Sequence, residues 1–171
     1  MTPGVNGAGT RWESIPLTLP PGARIYVLLQ ASGGTLWVGT SYGLIRVHSD
    51  SGSYRQELLG PNSGLPDGFV HCLYEDETHG LWIGTQSGGL AQLLPTGIAS
   101  ITNADGLSDQ NIQRVIESRD GSIYASSERA GLWELVDGRA RQVPGSDRPP
   151  FLKSSFNVDQ DERGDWWAAG E

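Results

Sequence analysis

The chain has 171 residues with 24 Gly, 10 Pro and a hydrophobic fraction of 37%, which is typical of one turn-rich globular domain. Its net charge of −8 argues against a nucleic-acid partner, because an acidic surface repels phosphate backbones. Cys72 is the only cysteine, which excludes an intrachain disulfide, and its apolar neighbours indicate a buried structural thiol. No apolar run reaches the ~18 residues of a membrane-spanning helix, and residues 1–9 do not resemble a signal peptide.

The N-terminal part precedes the first clear pattern of turns and strands. We expect residues 1–10 to be disordered or partly ordered, and residues 11–171 to form repeats. Residues 11–17 predict an outer strand that belongs to a preceding repeat. The run 25–29 is almost continuously apolar, which predicts a strand buried on both faces near the axis of the fold.

The remaining strands of this first copy follow after short turns rich in Gly and Ser. Connections of hairpin length make neighbouring strands antiparallel. The same succession recurs twice and then stops after two strands. The predicted strands are 36–40, 44–47 and 54–58 in copy one, 69–74, 81–85, 90–94 and 98–102 in copy two, 112–116, 122–127, 132–136 and 139–143 in copy three, and 156–158 and 166–169 in copy four.

One aromatic residue marks the second strand of each copy. Trp37, Trp82, Tyr124 and Trp167 follow one another at steps of 45, 42 and 43 residues. A period of roughly 40–45 residues with four strands per unit predicts the blade of a β-propeller. The fold class is therefore all-β, a propeller fragment of about three and a half four-stranded antiparallel blades. Their approximate ranges are 22–60, 61–102, 103–144 and an incomplete 150–171.

These anchors should fill the space between adjacent blades, since aromatic side chains bury a large area. A fragment of a propeller leaves apolar faces bare at both ends, and Trp166 and Trp167 should be among the exposed groups. This predicts self-association into a dimer or a closed ring. The strand-like sequence just before residue 171 also suggests a piece of a longer array.

Copy two carries the most specific motif of the chain. Its segments Gly64–Pro66, Glu75–Asp76, Leu81–Thr85 and Gly88–Leu90 closely resemble the two-component regulator propeller repeat. Copy three departs from the pattern with Tyr124 for Trp and with Ser126–Ser127 for Gly-Thr. Copy four lacks the Gly-Leu-Pro segment that joins one copy to the next, which we call the joint.

The resemblance implies large propellers, usually of seven blades, that act as input domains of sensor or hybrid histidine kinases. It also implies a periplasmic or extracellular location, a membrane-anchored parent protein and, for several receptors, the sensing of oligosaccharides. The sequence contains no kinase or cyclase residues, so this segment would supply only the sensory or scaffold part.

Residues capable of chemistry are sparse. His48, His71 and His79 do not stand at metal-ligand spacing, so we expect neither a metal nor a cofactor. The acidic turns at 76–77, 120–121 and 159–162 do not match a calcium loop, and solvated hairpin turns are the favoured interpretation. No convergent acid–base pair is evident, so we predict no catalytic residues and no enzymatic activity.

A ligand of such a fold should bind where the joints between blades meet the turns between second and third strands. An aromatic ring beside amide, carboxylate and guanidinium groups suits an oligosaccharide. The predicted ligand-binding residues are Tyr42, Asp67, Gln86, Asp109, Gln110, Glu128, Arg129 and Lys153. Two alternatives to a sensory propeller remain open, a non-binding structural scaffold and a propeller-type lyase or hydrolase.

Overall fold

The computed structural model describes residues 14–50, 52–148 and 157–169. These residues form three four-stranded antiparallel sheets and one two-stranded hairpin, which confirms the prediction of about three and a half blades. The strands are β1 (Ile25–Gln30), β2 (Leu36–Thr40), β3 (Gly43–Asp50), β4 (Ser53–Leu59), β5 (Val70–Glu75), β6 (Leu81–Thr85), β7 (Leu90–Leu94), β8 (Gly97–Ile101), β9 (Ile112–Glu117), β10 (Ile123–Ser127), β11 (Gly131–Val136), β12 (Arg139–Gln142), β13 (Asn157–Gln160) and β14 (Trp166–Ala169).

Each sheet is one blade, with its strands in chain order. Blade one is β1–β4, blade two β5–β8 and blade three β9–β12, while β13 and β14 form the hairpin of blade four. The first strand of each blade contacts the first strand of the next, β1 with β5, β5 with β9 and β9 with β13. The first strands therefore line the inside of the arc.

The core lies between the blades. Trp37 packs with Val70, Leu81 and Ile83 across the contact of blades one and two. Trp82 packs in the same way with residues of blade three, including Val115. Trp37 and Trp82 are only 5% and 7% exposed, as the sequence predicts for aromatic anchors. Burying one such side chain stabilises the fold by a few kcal/mol.

The Gly-Thr pair that ends the second strand has a steric and a polar role. A Cβ at Gly84 would lie 2.3 Å from Cys72 Sγ and 2.8 Å from Ile112 Cγ2, so only glycine lets the next inner strand approach this closely. The Thr85 hydroxyl donates to the Gly89 carbonyl at 2.8 Å and accepts from the Gly88 N–H at 3.1 Å. Copy three has Ser126 at the glycine position, and this small side chain is fully buried.

The joints between blades contain short 3-10 turns, Pro61–Ser63 and Asn103–Asp105. Thr102 and Asp105 form a capping box at the start of the second turn. Gly106 follows with φ of 99°, and a Cβ there would lie 2.5 Å from the Ala140 carbonyl oxygen. Leu107 is completely buried directly after it. The Gly-Leu joint thus reverses the chain and anchors it in the core.

A polar contact repeats at the far end of the inner strands of blades two, three and four. The Glu75 carboxylate accepts hydrogen bonds from the Ser32 N–H at 2.7 Å and from its hydroxyl at 2.8 Å. Glu117 and Gln160 likewise accept from the backbone N–H of the preceding blade. Those bonds are Glu77 N–H to Glu117 at 2.8 Å and Arg119 N–H to Gln160 at 3.1 Å. Each of these three inner strands is therefore hydrogen-bonded to the first turn of the preceding blade.

Two predictions about the N-terminal part were wrong. The first strand is not buried on both faces, because Ile25 and Tyr26 are about half exposed and Leu28 is 60% exposed. The predicted outer strand at 11–17 is also not found, since residues 14–17 form no strand. Residues 11–13 lie outside the described ranges. Residues 14–19 instead bind the Gln56 side chain through backbone groups of Pro16 and Thr18.

The blade faces at the two ends differ from each other. On blade one the apolar group of Val38, Ile45 and Val47 is covered by Ile15, Leu17 and Leu19, so this part of the face is not bare as predicted. At the other end Trp167 is 64% exposed, as predicted. The difference arises because a segment preceding blade one lies over its second and third strands.

One acidic turn also departs from the prediction of solvated turns. Glu77 and Asp120 are exposed, but Asp76 is buried. Asp76 Oδ1 accepts from the N–H groups of Thr78 and Gly80 at 3.0 and 2.7 Å, so it holds the turn together. A buried carboxylate is tolerated only with such partners.

Candidate functional site

The candidate site lies at one edge of the sheets, where the joints enter the inner strands. We call this edge the joint face and define it by the joints 60–69 and 102–111 and the turns 41–42, 86–89 and 128–130. Backbone hydrogen bonds connect the joints to the turns, from Gln86 N–H to the Phe69 carbonyl at 3.0 Å and from Glu128 N–H to the Asn111 carbonyl at 2.9 Å. The loops of this face are therefore held in place by the sheets.

The inner strands of blades one, two and three each begin with a β-bulge on the joint face. The register between first and second strand shifts at Tyr26 in blade one, at His71 in blade two and at Gln113 in blade three. A bulge re-aims the side chain of its extra residue and is common near binding sites. The three residues occupy equivalent positions on successive inner strands, so they form a row around the inside of the arc.

The blade-one end of this row is aromatic. The ring centroids of Tyr26 and Phe69 lie 4.4 Å apart, and those of Phe69 and His71 lie 4.9 Å apart with the rings nearly perpendicular. Tyr26 is 44% exposed. His71 Nδ1 is buried and has no hydrogen-bond partner among the described residues. The group thus offers an accessible aromatic surface next to an unused polar atom.

The blade-three end of the row is polar. The Gln113 amide donates to Asn111 Oδ1 at 2.8 Å, and the Asn111 amide donates to Glu128 Oε2 at 2.6 Å. Such a chain of amides and a carboxylate fixes the orientation of each amide group. The remaining acceptor and donor positions can serve the hydroxyl groups of a ligand.

Two predicted site residues hold the joint face together. Asp67 Oδ2 accepts from the Ser87 N–H at 3.0 Å and from the Ser87 hydroxyl at 2.9 Å. Asp109 Oδ2 accepts from the Arg129 N–H at 2.6 Å in the equivalent place of the next blade. Each carboxylate therefore connects a joint to the turn beside it. The bonds of Asp67 occupy one of its oxygens, whereas Asp109 uses both, since its Oδ1 accepts from the Asn111 N–H at 3.1 Å.

The other predicted site residues differ in how accessible they are to a ligand. Tyr42 and Gln86 are exposed, and the Arg129 guanidinium is 83% exposed and lies 3.8 Å from Glu128 Oε2. Gln110 contributes its carbonyl to the joint, where it accepts from the Gly89 N–H at 3.0 Å. Lys153 lies outside the described residues. The structure thus brings Tyr42, Gln86, Glu128 and Arg129 to one face, and Asp67 and Asp109 beneath it.

The row itself was absent from the predicted set of site residues. Tyr26, His71 and Gln113 each stand 11 residues before the anchor of their copy, Trp37, Trp82 and Tyr124. This constant offset was available in the sequence and could have found them. Phe69 and Asn111 also share an offset, 13 residues before the anchor.

Nucleophilic and metal-binding groups do not converge on the joint face. Burial raises the pKa of the Cys72 thiol to about 12, which keeps it protonated and unreactive near neutral pH. Within the described ranges no three metal-ligating side chains come together. The same part of the chain contains no helix with the length and apolarity that a membrane crossing requires.

Solved structures share this fold across nearly the whole chain. One is the extracellular domain of a hybrid two component system from B. thetaiotaomicron, with a TM-score of 0.75, 19% identity and coverage of 97% of this chain and 23% of that one. Another is virginiamycin B lyase from Staphylococcus aureus, with a TM-score of 0.68, 15% identity and coverage of 97% and 55%. The chain therefore spans about a quarter and about half of these two proteins.

A family model identifies the repeats directly. No curated protein sequence matches the chain. The model described as "Two component regulator propeller" matches residues 18–42 and 64–87, which contain the anchors Trp37 and Trp82. These segments hold the inner and second strands of blades one and two, where the repeat motif was recognised. Two segments of the chain, in blades one and two, therefore match the repeat of the two-component regulator propeller family.

Proposed function

We propose that this chain is a non-enzymatic, ligand-binding propeller segment of an extracytoplasmic bacterial signalling receptor. The ligand is an oligosaccharide bound on the joint face. The fold and the family of the repeats support the receptor context, and the membrane anchor would then belong to the parent protein. The observation that carries the ligand proposal is the row of bulge residues, aromatic at Tyr26 and polar at Gln113.

The chemistry of the row matches that of a sugar. The exposed ring of Tyr26, backed by Phe69, offers an apolar surface for the C–H face of a pyranose. Asn111, Gln113 and Glu128 offer amide and carboxylate groups to its hydroxyls. The exposed Arg129 extends this polar rim and would favour an oligosaccharide that carries a carboxylate or sulfate group.

The proposal is tested by thermal unfolding in the presence of neutral and acidic oligosaccharides. A ligand at 100 times its Kd adds about 2.7 kcal/mol of stability, which raises the Tm of a domain this size by roughly 5–10 °C. Tyr26→Ala should remove the shift, whereas Leu94→Ala, an exposed apolar residue at the end of β7, should retain it. Equal shifts in both variants would refute binding at the row.

A non-binding scaffold is the second candidate function. It is favoured by the structural use of Asp67 and Asp109, whose carboxylates hold the loops of the joint face instead of pointing into open solvent. A scaffold predicts no stabilisation by any member of the oligosaccharide panel.

A further inference from the structure

A cavity of about 370 Å³ lies between the outer strands of blades two and three. Its apolar wall includes Ile101 of β8 together with Ile123 and Leu135 of blade three. Both blades are complete four-stranded sheets, so the cavity lies within the arc and not at either end of it. We call it the outer cavity. Its volume falls in the range of small-molecule sites, which is roughly 300–1,000 Å³.

Blade one shows which side chains occupy the equivalent place there. Arg46 of β3 lies opposite Trp37 of β2, and Glu57 of β4 lies opposite Arg46. Directly paired residues stand on the same face of a sheet, so these three side chains form a line across the face that meets blade two. The guanidinium carbon of Arg46 lies 5.5 Å from the centre of the Trp37 ring, which is a cation–π contact. The chain thus supplies a guanidinium group to this anchor.

Blade two carries shorter side chains in the same line. Gln92 of β7 lies opposite Trp82, and Ala99 of β8 lies opposite Gln92. All three residues line the outer cavity. Glutamine is shorter than arginine and uncharged, and alanine lacks the whole carboxylate arm of a glutamate. Blade two therefore leaves open, beside its anchor, the place that the side chains of Arg46 and Glu57 occupy in blade one.

The rim of the outer cavity carries a carboxylate. Asp137, in the turn between β11 and β12, lines the cavity and is exposed. Within the described part of the chain, neither this carboxylate nor the Gln92 amide takes part in a hydrogen bond or ion pair. Arg139 is close in sequence, but it pairs with Val136 and stands on the face away from the cavity, which Leu135 lines. The rim thus offers two acceptors, one of them anionic.

We propose that the outer cavity binds a small organic cation, an alkyl chain that ends in a guanidinium group. The guanidinium donates to the Asp137 carboxylate and to the Gln92 side-chain carbonyl, since it has five N–H donors and no acceptor. The alkyl chain packs against the apolar wall of the cavity. The bound cation thereby occupies beside Trp82 the place that Arg46 occupies beside Trp37.

This site is separate from the joint face. Strand β11 begins beside the joint-face turn 128–130 and ends at Val136, so Asp137 stands at the opposite edge of blade three. The proposal therefore does not rest on oligosaccharide binding, and it is tested with a different probe.

The test is an NMR titration of the 15N-labelled full chain with butylguanidinium at constant ionic strength. Amide shifts at Gln92, Ser100 and Gly138 should change and saturate with one Kd, on the order of 1–10 mM for a probe of this size. Butylurea has nearly the same shape but no charge, and its Kd should be at least about tenfold higher. Equal binding of the two probes, or shifts that do not saturate, would overturn the proposal.

Variants decide whether the probe lies in the outer cavity. Asp137→Asn removes the charge and should raise the Kd at least about tenfold, and asparagine tolerates the φ of 51° at this position. Glu162→Gln removes a charge from an exposed turn of blade four and should leave the Kd unchanged. An equal loss of affinity in both variants would mean a general effect of charge and would overturn the proposal.

A double variant fills the cavity from within the chain. Gln92→Arg combined with Ala99→Glu rebuilds in blade two the line of blade one, so the new guanidinium should take the place of the probe and abolish its binding. The amide spectrum shows whether this variant is folded, and if it is not, Asp137→Asn decides alone. Unchanged binding of butylguanidinium to Asp137→Asn or to the folded double variant would overturn the proposal.

Discussion

The indole N–H of Trp82 donates a 2.8 Å hydrogen bond to Asp76 Oδ2, six residues earlier in the chain. Trp167 makes the same bond to Asp161 at 3.1 Å. The carboxylate also organises the turn before the second strand, so one residue orients both the turn and the anchor. Blade three has Ser118 and Tyr124 at these positions and lacks the bond. The Asp–Trp pair is therefore a recurring but optional part of the repeat.

Removing the Asp76 carboxylate should destabilise the chain strongly. Asp76→Ala leaves the Trp82 indole and two turn N–H groups without their acceptor, and we expect a loss of about 2–4 kcal/mol in the free energy of unfolding. Urea unfolding followed by tryptophan fluorescence measures this loss. The adjacent exposed Glu77→Ala serves as the control, with an expected change within about 0.5 kcal/mol. A similar small change for Asp76→Ala would contradict this role.

Acid should destabilise the fold through the same residue. Burial alone would raise the pKa of Asp76, but hydrogen bonds from Thr78, Gly80 and Trp82 together hold the pKa below its ordinary value. A lowered folded-state pKa contributes stability that is present above the unfolded pKa and is lost as pH falls through the folded one. We therefore expect the Tm to fall below about pH 4.

The variant Asp76→Asn isolates this contribution. It should unfold at a lower temperature than the parent chain at pH 6, and the difference should shrink as the pH falls toward 3. Hydrogen bonds also lower the pKa of Glu75, Asp120 and Asp161, so the variant keeps part of the acid sensitivity. A difference in Tm that stays constant with pH would contradict the assignment.

The close approach of inner strands should make Gly84 intolerant of any side chain. Gly84→Ala places a Cβ against Cys72 and Ile112, and overpacking of this kind costs about 1–3 kcal/mol. Gly33→Ala is the matched control, because no atom lies within 4 Å of its added Cβ. Equal stabilities of the two variants in urea would show that blades two and three do not pack as described.

The thiol of Cys72 should be nearly inert. With its pKa raised to about 12 by burial, alkylation by iodoacetamide at pH 8 should be at least about 100-fold slower than in the urea-unfolded chain. Mass spectrometry over time measures both rates. Rapid labelling of the folded chain would show that the contact between β5 and β9 opens readily.

The rim of the joint face should contribute to ligand affinity. Replacing Tyr42, Gln86 and Arg129 by alanine in one triple variant should weaken the binding of an identified oligosaccharide at least about tenfold. This loss is the equivalent of one good hydrogen bond. Calorimetric titration measures the Kd. The control is the triple variant's own stability, which should match that of the parent chain because all three side chains are exposed. An unchanged Kd would remove these residues from the site.

The strands could be predicted from the sequence because their signals are local. Alternating apolar residues and glycine turns placed β2, β6 and β10 within one residue of their observed limits. The burial of Trp37 and Trp82 also followed, since a repeated aromatic has to fill repeated space. The exposure of Leu28 did not follow, because burial of an inner strand depends on whether a preceding blade covers it.

The site was predicted only in part because its geometry depends on contacts distant in sequence. Asp67 is a plausible ligand-binding residue until Ser87, twenty positions later, is found to donate to it. The bulges at Tyr26 and His71 depend on pairing between strands, which the sequence does not display. The constant spacing of these residues from the anchors was visible, but spacing alone does not tell which edge of the blade a side chain occupies.

The central claim, that the bulge row binds an oligosaccharide, is tested most directly by NMR titration of the 15N-labelled chain. The account predicts that amide shifts change at Tyr26, Phe69, His71 and Gln113 as the sugar is added, and that they saturate at one Kd. Changes confined to the turns at the opposite edge, around Asp76 and Asp120, or no changes with any sugar of the panel, would contradict it.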